Sequence, residues 1–136
     1  MMKRALVVDD DNVFCANLAE AFGKCVKNCA VITARNGKEA AKILEAAPVD
    51  FIITDLNMPE MGGYEFVSLL RANYPDIPVL AMTGTKTPEV AARLRALGVS
   101  RCIEKQFNVK EMVPMILDGL RGNRSDVSTK QDPGFV

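Results

Sequence analysis

Histidine is absent from this 136-residue sequence, and so is any net charge. With no imidazole and only four cysteines, the common ways of building a zinc site are missing. Cys25 and Cys29 are spaced one helical turn apart, but no second close cysteine pair completes a tetrahedral set. Cys15, Cys25, Cys29 and Cys102 are therefore expected to be reduced thiols, most of them buried or half-buried. Lysine plus arginine number 17 and aspartate plus glutamate 17, so no long-range field draws the chain to nucleic acid or to an anionic membrane. No apolar run approaches the roughly 18 residues of a spanning helix. The start shows no secretory pattern either: Met1-Met2-Lys3-Arg4 leads into four apolar residues and then three aspartates. A soluble, cytoplasmic chain is expected.

The apolar material that is present, 49% of residues, suffices for one ordinary core. It comes in short runs: Ala5–Val8, Ala30–Ala34, Phe51–Thr54, Pro78–Met82 and, weaker, Cys102-Ile103. Continuous runs rich in valine and isoleucine suit strands buried on both faces of a parallel sheet. Between them lie helical patterns: Phe14 to Cys25, Lys38 to Ala47 after the Asn36-Gly37 turn, Tyr64 to Ala72, Pro88 to Leu97 closed by Gly98, and Val109 to Leu120. Asn108 is the expected cap of the last. Five strand–helix repeats predict an α/β, doubly wound five-stranded parallel sheet spanning residues 1–121. Residues 122–136 lose the periodicity and read as a flexible tail or a linker to a further domain.

In such sheets functional groups gather just beyond the carboxyl ends of the strands. The first strand ends in Asp9-Asp10-Asp11, and Asp11 also suits a helix cap. Adjacent carboxylates repel one another, and a hard cation such as Mg²⁺, which prefers oxygen ligands, resolves the repulsion at Asp9 and Asp10. The third strand ends in Thr54-Asp55, followed by Leu56-Asn57-Met58-Pro59 and Gly62-Gly63. There Asp55 would face the first pair and act as a nucleophile toward an activated phosphorus, with the metal bridging it to the incoming oxygens. A turn constrained by Pro59 and the glycines would leave the Asn57 backbone carbonyl free to ligate the metal. Thr83 ends the fourth strand, its hydroxyl placed either to meet a phosphoryl oxygen or simply to cap a turn. Lys105 follows the fifth strand, where its charge would reach Asp55 or the phosphoryl group.

This ordered set resembles the receiver domain of two-component response regulators, chemotaxis-regulator-like, over roughly Lys3 to Leu120. The resemblance implies the (βα)5 flavodoxin-like receiver topology, Mg²⁺ held by the VVDD pair Asp9 and Asp10, and phosphorylation of Asp55 within TDLNMPEMGG. It matches Thr83 to the family's hydroxyl residue and Lys105 to its lysine. It also implies a phosphoacceptor that assists its own phosphorylation and dephosphorylation rather than an enzyme. The donor would be a histidine kinase or histidine phosphotransfer protein, and the output a downstream protein or a missing effector domain. The fourth helix, fifth strand and fifth helix form a common interaction face in the family, so a homodimer through them is an open option.

Two positions depart from the family. Gln106 stands where a proline usually follows the lysine across a cis bond. Because cis before a non-proline residue costs roughly 3–4 kcal/mol, a trans Lys105–Gln106 bond is expected. Cys102 replaces a usual tyrosine or phenylalanine, which shifts any switching toward the Thr83 loop and the Pro88–Leu97 helix. Asn57 and Thr85 would flank the route of a hydrolytic water and tune the lifetime of a phosphorylated state. These departures keep open a degenerate receiver that binds partners without phosphorylation. A haloacid-dehalogenase-like phosphohydrolase would need an acid at Asn57. A P-loop reading of Gly84-Thr85-Lys86-Thr87 lacks its upstream glycine, and no helix-turn-helix follows Leu120.

Overall fold

The five apolar runs become strands β1 (Lys3–Val8), β2 (Cys29–Ala34), β3 (Phe51–Asp55), β4 (Val79–Thr83) and β5 (Cys102–Glu104). The structure, a computed structural model, describes residues 2–58, 62–106 and 108–121, the last three of these as backbone only. All pairings are parallel, in the order β2-β1-β3-β4-β5. The helices are α1 (Asn12–Cys25), α2 (Gly37–Ala46), α3 (Gly63–Asn73), α4 (Pro88–Ala96) and α5 (Met112–Arg121). The expected five-stranded doubly wound sheet is what forms.

Alternation along each strand divides the core in two. Leu6, Val8, Ile52, Ala81 and Cys102 face one layer with Leu44, Phe66, Leu70 and Leu94, which come from α2, α3 and α4. Val7, Ile53, Leu80, Met82 and Ile103 face the other with Leu18, Phe22, Val113 and Ile116 from α1 and α5. Each large side chain fully withdrawn from water contributes about 1.5–3 kcal/mol. Burial on both faces is why the central strands read as unbroken apolar runs. Arg93 of α4 also lays its guanidinium over the Tyr64 ring of α3, 3.9 Å from the centroid.

Local signals set the helix ends. Asp11 caps α1 by accepting the Phe14 amide at 3.0 Å, the role expected of it. Asn36 caps α2 and Thr87 caps α4 in the same way. Gly98, with φ of 90°, takes the left-handed conformation that ends α4. The last helix differs from expectation. Asn108 caps a 3₁₀ turn over Val109–Glu111, and α5 begins only at Met112. Pro114 explains the change: its ring would clash with a carbonyl four residues earlier, so it is tolerated only in a first turn.

Among the described residues no peptide bond is cis, so Lys105–Gln106 is trans as expected. All four cysteines are free; Cys15 and Cys102 are buried, Cys29 half-buried and Cys25 exposed. The expected tail over 122–136 and the turn at Pro59 lie outside the described residues.

Candidate functional site

β1 and β3 are neighbours, with Val8 opposite Thr54, so the next residues of each, Asp9 and Asp55, leave the sheet side by side. Backbone bonds fix both ends. The Asp9 amide donates to Ala34 and the Leu56 amide to Met82, at 3.0 and 2.9 Å. Gly63 lets the chain return closely over this corner, because a β-carbon there would lie 2.6 Å from the Leu56 carbonyl oxygen and 2.7 Å from that of Asp55.

The result is a carboxylate cluster at the topological switch point. Oxygens of Asp9, Asp10 and Asp55 lie within 4.8 Å of one another; Asp9 and Asp55 are buried and Asp10 is exposed. Asp9 Oδ1 accepts the Asp11 amide at 3.0 Å, and Asp55 Oδ1 accepts the Asn57 amide at 3.2 Å. The Asp9 Oδ2 atom is buried.

Lys105 enters from the far side. Its amide donates to the Thr83 carbonyl at 2.9 Å, and its side chain crosses to the acids. Lys105 Nζ lies 2.6 Å from Asp9 Oδ2 and 3.5 Å from Asp55 Oδ2. The lysine thus pairs more closely with Asp9 than with the expected Asp55.

One ammonium cannot neutralise three carboxylates. Burial, reinforced by the Asp9 charge, pushes Asp55 up from 3.8 to about 6, against the pull of Lys105 and the Asn57 amide. Burial also raises Asp9, although the Lys105 ammonium pulls it down. Burial works against the charge on Lys105, but its bond to Asp9 and the charges of both acids outweigh it and hold the lysine above its usual range. The site therefore has a deficit of positive charge. An oxygen-only donor set of three clustered carboxylates facing a single ammonium fits a hard divalent cation.

The structure therefore brings Asp9, Asp10, Asp55, Asn57 and Lys105 together. Thr83 stands one residue past the Asp55–Met82 pairing, but its hydroxyl serves its own turn, donating to the Thr85 carbonyl at 3.2 Å. Two contacts escape a sequence-only view. The Lys105 ammonium sits over the Phe14 ring, 4.6 Å from the centroid, and Glu104 accepts the Lys86 amide at 2.7 Å. Phe14 carries the spacing of a core residue, and only the position of Lys105 in space reveals its second neighbour.

The sequence model of the response regulator receiver domain matches residues 5–117. A response regulator receiver protein of Anaeromyxobacter is 34% identical over 117 residues, covering 86% of this chain and 47% of that protein. The CAI-1 autoinducer sensor kinase/phosphatase CqsS of Vibrio cholerae is 33% identical over 109 residues, covering 76% of this chain and 15% of that protein. The chain thus spans less than half the length of these curated relatives. Among solved structures, the chemotaxis response regulator CheY4 of Vibrio cholerae superposes with a TM-score of 0.79 at 30% identity, over 88% of this chain and 99% of that one. The response regulator TrrA of Thermotoga maritima, solved with Mg²⁺ and BeF, gives a TM-score of 0.74 at 27% identity, over 87% and 99%. No described helix is long and apolar enough to cross a membrane. The sheet order, the acids at its switch point and the match over residues 5–117 together establish that this chain belongs to the response regulator receiver domain family of two-component signalling.

Proposed function

We propose that the domain, residues 1–121, accepts a phosphoryl group on Asp55 in a Mg²⁺-dependent reaction and thereby changes its partner interactions. The observation that carries this reading is the placement of Asp55. It is buried, oriented by the Asn57 amide, and shares one pocket with Asp9, Asp10 and Lys105. An oxygen of the Asp55 carboxylate attacks the donor phosphorus while the bond from phosphorus to the donor atom breaks, and the donor leaves with that electron pair. Lys105 stands where negative charge accumulates, and the Asn57 amide fixes the rotamer of the attacking carboxylate. Thr83 meets a phosphoryl oxygen after leaving the Thr85 carbonyl, which requires its turn to open.

Asp9, Asp10, Asp55 and the Asn57 carbonyl would hold Mg²⁺. When bound, the metal neutralises charge on the carboxylates and on the transferring oxygens. Three clustered carboxylates faced by one ammonium support that assignment. Relatives named as sensor kinases support a histidine kinase or histidine phosphotransfer protein as the physiological donor. Residues 122–136 would serve as a tail or linker.

Intact-protein mass after incubation with Mg²⁺ and acetyl phosphate tests this reading. One added phosphoryl group is expected in the wild type, none in Asp55→Asn, and none after chelation of the metal. A folded wild type that stays unmodified, even with a partner kinase, would instead support a phosphorylation-independent binding module, with Gln106 and Cys102 as its marks.

A further inference from the structure

We propose that Phe14 is a positioning residue for Lys105, its ring forming the third wall of the seat that keeps the ammonium over the acids. The inference rests on the Asp55 reading for its functional meaning, but its geometry stands alone.

A lysine ammonium has three N–H groups. Asp9 Oδ2 at 2.6 Å and Asp55 Oδ2 at 3.5 Å take two directions. The Phe14 ring face, with its centroid 4.6 Å away, takes a third, inside the roughly 6 Å range in which a ring quadrupole attracts a cation. The lysine side chain keeps 23% of its surface exposed, so without the ring water would have a wider approach.

The ring is the fixed partner of the two. Phe14 sits in the first turn of α1, where its own amide is locked onto the Asp11 cap at 3.0 Å. Its ring packs, half-buried, against the core layer between α1 and α5. Lys105 has weaker support, because it follows a strand of only three residues. Gln106, standing in place of the stiff proline usual in the family, makes two hydrogen bonds among the described residues: its amide to the Met112 sulfur at 3.4 Å and its side chain to the Glu104 carbonyl at 3.1 Å. The Lys105 amide is tied to the Thr83 carbonyl at 2.9 Å, so the backbone sets where the side chain starts and side-chain contacts set where the ammonium points. The ring is one such contact that does not depend on either carboxylate, so it still guides the ammonium when Asp9 or Asp55 takes another partner.

The competing role for Phe14 is core filling alone. Phe14→Leu keeps an apolar side chain while removing the ring, and Phe14→Tyr restores the ring. The first readout is the proton shift of the Lys105 ε-methylene in unphosphorylated, metal-free protein, assigned by its loss in Lys105→Arg. It should lie upfield of the other lysines in wild type and Phe14→Tyr, and among them in Phe14→Leu. The second is the single-turnover rate of phosphorylation from acetyl phosphate at saturating Mg²⁺. Phe14→Leu should be about threefold to tenfold slower, the scale of a cation–π attraction, and Phe14→Tyr should recover most of the loss. An ordinary Lys105 shift in wild type, or equal rates in wild type and Phe14→Leu, would overturn the proposal. A wild type that takes no phosphoryl group would sink the Asp55 reading, while the shift comparison would still decide whether the ring seats the lysine.

Discussion

Asp55→Asn should make the metal-free protein more stable at neutral pH, by an amount that disappears on acidification. Burial and the neighbouring Asp9 charge hold the Asp55 carboxyl up at about 6 in the folded chain, against 3.8 when solvated. Between those values the folded state keeps a proton that the unfolded state has released. The unfolded state then binds fewer protons, so stability falls as pH rises through that window, and the full penalty is present above about 6. At about 1.4 kcal/mol per pKa unit the penalty reaches about 3 kcal/mol. Asparagine carries no charge and can still accept the Asn57 amide, so most of that penalty is removed, less what the Lys105 contact at 3.5 Å contributed. A gain of about 1–3 kcal/mol is expected at pH 7.5 in chelator, read as a rise of roughly 1 M in the urea midpoint. It should shrink steadily toward pH 4, where Asp55 is protonated on folding anyway. Saturating Mg²⁺ should stabilise the wild type by about 2.7 kcal/mol at a hundredfold excess over its dissociation constant, which narrows the difference. Equal midpoints at pH 7.5, or a gain that persists undiminished at pH 4, would refute the charge-repulsion account.

Two further substitutions probe the frame around the site. Gly63→Ala forces a β-carbon onto Leu56 and the Asp55 carbonyl, so it should cost about 3 kcal/mol or more in urea unfolding and slow phosphorylation; a neutral variant would contradict the tight corner. Cys102→Tyr places a ring where only 1% of the residue is exposed, with an expected overpacking cost of about 1–3 kcal/mol. It should alter affinity for a kinase or phosphotransfer partner more than the phosphorylation rate, and equal partner binding by both variants would count against it.

The strands were legible because burial on both faces leaves little room for polar residues, so Ala5–Val8 and Phe51–Thr54 stand out as almost wholly apolar runs. The carboxylate cluster was legible for a topological reason: parallel strands deliver their carboxyl ends to one edge, and the acids follow immediately. What escaped was anything decided by side-chain direction. That Lys105 lies nearer Asp9 than Asp55 and that Phe14 meets the lysine depend on distances spacing cannot supply, whereas the turn bond of Thr83 was one of the two readings its position left open. The late start of α5 is a different kind of miss: Pro114 was visible, but its steric effect on the preceding turn outweighed the apolar periodicity.

The Arg93–Tyr64 contact links α4 to α3 outside the core cluster that both helices share. The guanidinium carbon lies 3.9 Å from the ring centroid, so a shear of α4 along the sheet draws cation from aromatic unless the arginine side chain or α3 follows. α3 begins at Gly63, directly behind the corner that carries Asp55, so the contact on the outer face and the acid pocket stand at two places along one helix.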